Sequence, residues 1–258
     1  EAAFLATRGC PFSCNYCYHI FGQGVRYRSM ERVLAEMELL KDQYGAGALL
    51  IADECFTARK DFVKELCAQM IERKLNLEWM CYSRVDTIDA PMLEAMARAG
   101  CNWIGFGLES GSPAILKAMN KKTTPDKMLA AIRLARQYMG VSGTMIFGYP
   151  GETDATVRET VEFCAEAQIR PTLFYLQPYP GTQVYEAHKD KIIAKCGSLP
   201  QYFEQLNDAG DFVVNLTDWS DDEAFTKWQQ TASTLHTMSV LQHWGKQGIR
   251  LLTGEGEA

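Results

Sequence analysis

Short apolar runs alternate with longer amphipathic stretches along most of the chain. Six runs, Phe4–Thr7, Ala48–Ala52, Trp79–Ser83, Asn102–Leu108, Gly143–Gly148 and Thr172–Gln177, are nearly continuous in apolar character. That is the pattern of parallel strands covered on both faces. Between them apolar side chains recur at i, i+3 or i+4: Val33, Met37, Leu40 and Tyr44; Phe62, Leu66 and Met70; Met128, Ile132 and Ala135; Val157, Val161 and Cys164. This spacing predicts helices with one buried stripe. Ser112 before Pro113, Thr124 before Pro125, and Ser220 paired with Glu223 read as helix starts.

Six strand–helix units in one direction predict an α/β fold. The expected architecture is a partial (β/α)6 TIM-like barrel over residues 1–181 with a C-terminal helical cap over residues 182–258. In that tail, Asp211–Leu216 reads as one more strand or an extended loop, and Thr253–Ala258 as a frayed end. Ser220–Trp244 reads as a helix with Phe225, Trp228, Ala232 and Leu235 on one face.

Composition narrows the function. With 258 residues, 47% of them hydrophobic and 22% charged, the chain can bury a large core without disulfides. No apolar run approaches the length of a membrane span. The net charge of −6, with no basic block, argues against a nucleic-acid-binding surface. Nine scattered cysteines suit a reducing, cytoplasmic setting better than a secreted scaffold. The chain opens without Met, directly on a strand-like run and with no secretory signal, as an excised piece of a longer protein would.

The chemistry concentrates in Arg8-Gly9-Cys10-Pro11-Phe12-Ser13-Cys14-Asn15-Tyr16-Cys17, after the first strand. In parallel α/β folds that end of a strand is where sites are built. Three thiolates spaced C-x3-C-x2-C can converge on one metal centre. They suit an iron–sulfur cube with one iron left open to a further ligand. With His19 the same residues could instead form a structural Cys3His zinc site on a non-enzymatic scaffold. Core filling fits poorly, because the loop is polar.

The loop and the segments at the later strand ends together resemble the radical S-adenosylmethionine (SAM) enzymes, over nearly the whole chain. Asp53-Glu54-Cys55-Phe56-Thr57 stands where the family binds the SAM amino group, although it departs from the Gly-Gly-Glu form common elsewhere. Glu109, in Gly105-Phe106-Gly107-Leu108-Glu109-Ser110-Gly111-Ser112, stands at the ribose position. Gly143-Thr144-Met145-Ile146-Phe147-Gly148-Tyr149-Pro150-Gly151-Glu152 matches the segment whose backbone lines the adenine. The wording is most similar to the branch that usually carries a cobalamin-binding domain, on Arg8-Gly9-Cys10-Pro11, Arg84-Val85-Asp86 and Asn215-Leu216-Thr217-Asp218.

The resemblance implies Cys10, Cys14 and Cys17 as ligands of a [4Fe–4S] cluster. It implies Tyr16, Asp53, Glu54, Arg84, Glu109, Ser110, Ile146 and Gly148 around SAM, with Arg84 beside the SAM carboxylate or a substrate acid. It also implies reductive cleavage of SAM to a 5′-deoxyadenosyl radical, acting on an unidentified small molecule, and a flavodoxin- or ferredoxin-type electron donor. Cobalamin would enter through a domain outside these residues, for a methylation or rearrangement. No residue is singled out as catalytic toward the substrate, though Tyr82, Tyr175 and Gln177 could line the interior. Cys55, Cys67, Cys81, Cys101, Cys164 and Cys196 read as small buried hydrophobes, with Cys55 nearest the site motifs. His236 and His243 lack a third ligand. Arg26, Tyr27 and Arg28 read as a solvated loop more than as contacts to an anionic substrate.

Overall fold

A computed structural model describes residues 1–207, 209 and 213–253, with side chains through residue 238. Six strands form one sheet in the order β1 (Ala2–Phe4), β4 (Ala48–Ile51), β5 (Glu78–Ser83), β6 (Cys101–Glu109), β7 (Gly140–Phe147), β8 (Pro171–Tyr175). The pairs β1/β4, β4/β5, β5/β6 and β7/β8 are all parallel. This is the α/β class and the strand order that the apolar runs lead one to expect. The first run is the exception. It breaks after Phe4, because the amides of Ala6 and Thr7 turn to the carboxylate of Asp53 instead of a neighbouring strand. Thr7–Arg8 (β2) then pairs antiparallel with Arg26–Tyr27 (β3).

The chain folds as two compact units: residues 1–108 with 120–142, and residues 109–119 with 143–258. The expected break at residue 181 falls inside the second unit.

In the first unit, helices α1 (Met30–Asp42), α2 (Lys60–Glu72), α3 (Ala90–Arg98) and α5 (Pro125–Ala135) cover strands. Val33, Leu34 and Met37 of α1 and Phe62, Leu66 and Met70 of α2 are buried with Leu49, Ile51, Trp79 and Cys81. Tyr44, expected on the α1 stripe, lies beyond the helix end and is exposed. Thr124 caps α5 by accepting from the Lys127 amide.

In the second unit, helix α4 (Pro113–Ala118) starts after Ser112, whose hydroxyl makes no capping bond. Helix α6 (Asp154–Glu166) packs against the last helix, α9 (Asp221–Thr253), where Lys227 Nζ sits 2.6 Å from Asp154. Helices α7 (Gln183–Cys196) and α8 (Leu199–Gln205) pack on each other. The Ser220/Glu223 capping box forms as expected: the Glu223 amide donates to Ser220 Oγ, and the Ser220 amide to Glu223 Oε2. The buried stripe of α9 is Ala224, Thr231 and Leu235, while Phe225 is 37% exposed, so the expected face is corrected by part of a turn. Of the expected Asp211–Leu216 segment, residues 211 and 212 lie outside the described residues, as do residues 254–258 and the side chain of His243. Among the described residues, no helix is long and apolar enough to cross a membrane.

Candidate functional site

The cysteine loop, residues 9–25, is an excursion closed at its base by the β2/β3 ribbon. Gly9 opens it at φ +93°, and a Cβ there would strike the Gly24 carbonyl. Only glycine lets the two arms approach so closely, and Cys10 forms a bridge to Gln23 across the gap. Asp53 anchors the ribbon. It accepts from Ala6 N at 2.8 Å, Thr7 N at 2.9 Å and Thr7 Oγ1 at 2.7 Å, and it is 2% exposed. Burial raises its pKa above the ordinary carboxylate value, partly offset by the Thr7 and Ala6 donors. Asp53 is therefore committed to the backbone of the loop base.

Its neighbour Glu54 differs. Glu54 Oε2 is buried without a hydrogen-bond partner, and its charge acts on the Cys10 thiol. Cys10 and Cys14 are buried, Cys17 is exposed, and none of the nine cysteines is in a disulfide. The Cys10 thiol is held down to about 7 by a hydrogen bond from Cys55, against the cost of burial, with help from the Phe12 amide and Arg84. Cys55 is shifted upward as the donor of that pair. A thiol poised toward thiolate is what a metal ligand requires.

Arg84 spans the loop. Nη1 donates to Cys14 Sγ at 3.3 Å, Nε and Nη2 fork onto Asp86 at 2.9 and 2.8 Å, and Nη2 also donates to the Lys121 carbonyl at 2.7 Å. The guanidinium carbon stands 3.9 Å from the Phe12 ring centroid. The segment Asn120–Lys121 clasps the other side. Asn120 Nδ2 donates to the Ser13 carbonyl at 2.7 Å, and the buried Lys121 Nζ donates to Tyr16 Oη at 3.2 Å. Sequence reasoning passed over Asn120, Lys121 and Phe12, since Asn-Lys-Lys after a short helix looks like an ordinary polar turn. Lysine is rarely buried without a partner, a property the sequence cannot display.

Among the described residues, no three His, Cys, Asp or Glu side chains are gathered around one point as a single metal ion needs. The donor set fits the cube: three cysteines in one glycine-hinged loop, one of them shifted toward thiolate.

In the second unit, Glu109 ends β6 at φ +72° and is 7% exposed. A left-handed, buried glutamate is strained, and strain of this kind collects at functional sites. Ser110 Oγ lies 3.1 Å from Thr160 Oγ1 and accepts from Ser112 N at 3.0 Å, so it shapes the turn that follows Glu109. Along β7, Met145 and Phe147 are buried, while Ile146 points to the opposite, partly open face. Gly148 turns the chain at φ +85° beneath the Tyr175 ring, which a Cβ would meet at 2.5 Å, and its amide donates to Glu152 Oε2 at 2.6 Å. Burial pushes the Glu152 carboxyl up to about 8, against the Gly148 and Tyr149 amides. Of the side chains expected to line the interior, Tyr175 and Gln177 are buried, Gln177 against Asn207, and Tyr82 is half exposed.

The profile of the Radical SAM superfamily matches residues 4–164. The chain belongs to the radical SAM superfamily. A [4Fe–4S] cluster and SAM come with that membership. Among curated relatives, an uncharacterized methyltransferase of Pyrococcus horikoshii is 33% identical over 186 residues, which span 70% of this chain and 40% of the relative. The bacteriochlorophyllide d C-12(1)-methyltransferase of Chlorobaculum tepidum is 30% identical over 196 residues, 73% of this chain and 42% of the relative. The chain thus spans about two fifths of these relatives' length. In fold it is similar to the radical SAM methyltransferase TsrM of Kitasatospora setae, solved with tryptophan and a SAM analogue. The TM-score is 0.73 at 19% identity, over 92% of this chain and 52% of that one. The cobalamin-dependent radical enzyme OxsB is also similar, with a TM-score of 0.59 at 19% identity, over 89% and 35%.

Proposed function

We propose that this chain is the catalytic part of a radical SAM enzyme that cleaves SAM reductively and passes the radical to a small organic substrate. Cys10, Cys14 and Cys17 would hold the cluster. The observation that carries the reading is the pairing, in one loop base, of a thiol shifted toward thiolate with the unpartnered Glu54 Oε2. A buried carboxylate oxygen without a donor is costly, and the ammonium group of SAM is a donor of the right charge. When bound, the cluster supplies the single electron that breaks the sulfonium bond, with a flavodoxin- or ferredoxin-type protein as its source.

The chain's residues then divide the remaining work. Asp53 fixes the loop base, Tyr16 closes the loop against Lys121, and Arg84 holds Cys14. Glu109 offers an acceptor for the ribose diol. Ser110 shapes the turn behind Glu109, and Ile146 with the backbone at Gly148 offers an apolar edge for the adenine. Residues 182–258 act as an extension of the same catalytic unit. The relatives' names favour methyl transfer, and the cobalamin bound in solved structures of TsrM and OxsB favours a cobalamin-linked route through parts of the protein beyond these residues. The reduced cytoplasm suits thiols left unbridged.

The test is anaerobic incubation of the reduced full-length protein with SAM. Formation of 5′-deoxyadenosine is expected, and its loss in Cys14→Ala. A cluster-loaded protein that leaves SAM intact would overturn the reading.

A further inference from the structure

We propose that Arg84 is a positioning residue that sets the reduction potential of the cluster, holding it higher than the three thiolates alone would, with Asp86 as the opposing charge. This deepens the reading above, since it takes Cys14 as a ligand. The resemblance pointed Arg84 toward a carboxylate of SAM or substrate, but the geometry spends it elsewhere. Four of its five N–H groups are engaged: one on Cys14 Sγ, two on Asp86 and one on the Lys121 carbonyl, with the guanidinium face on Phe12. A guanidinium held from so many sides, and 6% exposed, cannot swing out to follow a ligand. It is a fixed positive charge on a ligand sulfur.

The consequence follows from electrostatics. An N–H···S hydrogen bond and a positive charge draw electron density from the thiolate, so adding an electron to the attached iron costs less. Low solvent access strengthens the effect. Asp86, whose side chain is 28% exposed, takes back part of that charge through its two-point contact. Arg84 and Asp86 should therefore move the potential in opposite directions. A purely structural role would give both substitutions the same sign, through a loosened loop. Lys121, on the other side of the loop, donates to Tyr16 Oη at 3.2 Å.

The test is a redox titration of the anaerobic, full-length holoprotein followed by electron paramagnetic resonance. Each cluster takes one electron from the titrant, passing from the 2+ to the 1+ state, and nothing else changes. At the potential where the wild type is half reduced, Arg84→Gln should lower the ratio of reduced to oxidised cluster by roughly tenfold, the weight of one charge-assisted contact. Asp86→Asn should raise the ratio several-fold. If Arg84→Gln fails to retain its cluster, Asp86→Asn alone decides the matter. Unmoved midpoints, or a downward shift in Asp86→Asn, overturn the role of Arg84 while leaving the cysteine assignment intact. A wild-type protein that assembles no cluster overturns the cysteine assignment, and this inference with it.

Discussion

The loop after β2 and the turn after β7 both begin at a glycine with positive φ, and both rest on a buried carboxyl group that accepts backbone amides. In the first, Asp53 reaches across 46 and 47 positions in sequence to bind Thr7 and Ala6. In the second, Glu152 reaches back only four positions to Gly148. The long-range tie fixes the base of an excursion and leaves thiols, a guanidinium and the Glu54 carboxylate disposed for chemistry. The local tie fixes backbone and leaves little but shape. On the function proposed above, the first region would bind charge and metal and the second would present an apolar edge. Their failure modes should differ accordingly.

The most damaging substitution is expected at Asp53. Asp53→Ala strands two buried amides and a hydroxyl, each costing about 1–3 kcal/mol when left unpaired, and should remove roughly 4 kcal/mol from stability in urea unfolding. Iron loading should fall with it. A loss below about 1 kcal/mol would deny that Asp53 anchors the loop.

Next come the two glycines. Gly9→Ala drives a methyl group into the fixed backbone of Gly24, whereas Gly148→Ala meets a side chain, the buried Tyr175 ring. Both bear the left-handed penalty of about 1–2 kcal/mol, but Gly9→Ala should cost more, about 3 kcal/mol, and should cut iron retention. Gly148→Ala should keep its iron. Equal iron loss in both would erase the distinction between the two regions.

The turn after β7 should also show itself in the pH dependence of stability. The Glu152 carboxyl is raised from 4.5 to about 8 in the folded protein. The folded state thus binds more proton than the unfolded state between those values. Stability should fall as pH rises from about 4.5 through about 8. Urea midpoints across that window should slope downward, and Glu152→Gln should flatten the slope. An unchanged slope in the variant would assign the trend to other groups. The mildest change is Ser220→Ala, which removes the capping box of α9. It should cost about 1 kcal/mol in the same assay without touching iron content.

Much of this fold was legible in the sequence because buried parallel strands advertise themselves as continuous apolar runs. Leu49, Ile51, Trp79, Cys81, Ile104 and Phe106 are all fully or nearly fully buried. What escaped notice lacks periodicity. The β2/β3 ribbon is two residues a side, three of its four residues being Thr7, Arg8 and Arg26. The clasp by Asn120 and Lys121 depends on contacts across more than a hundred positions. Of the candidate site, the cysteine motif could be seen in the sequence, and its ligand role is the proposal above. The division between Asp53, which is spent, and Glu54, which is not, arises only when the chain folds. Phe225 shows the reverse error: a large apolar residue at helical spacing looked like core, while the smaller Ala224 and Thr231 took the buried stripe.

The central claim is that Cys10, Cys14 and Cys17 together hold one [4Fe–4S] cluster. Counting iron and sulfide per chain in the anaerobically reconstituted full-length protein, beside Cys10→Ala, Cys14→Ala and Cys17→Ala, tests it most directly. The account predicts the full cluster complement in the wild type and its loss in each variant. A wild type that binds a single zinc and no sulfide, or variants that keep their iron, would contradict it.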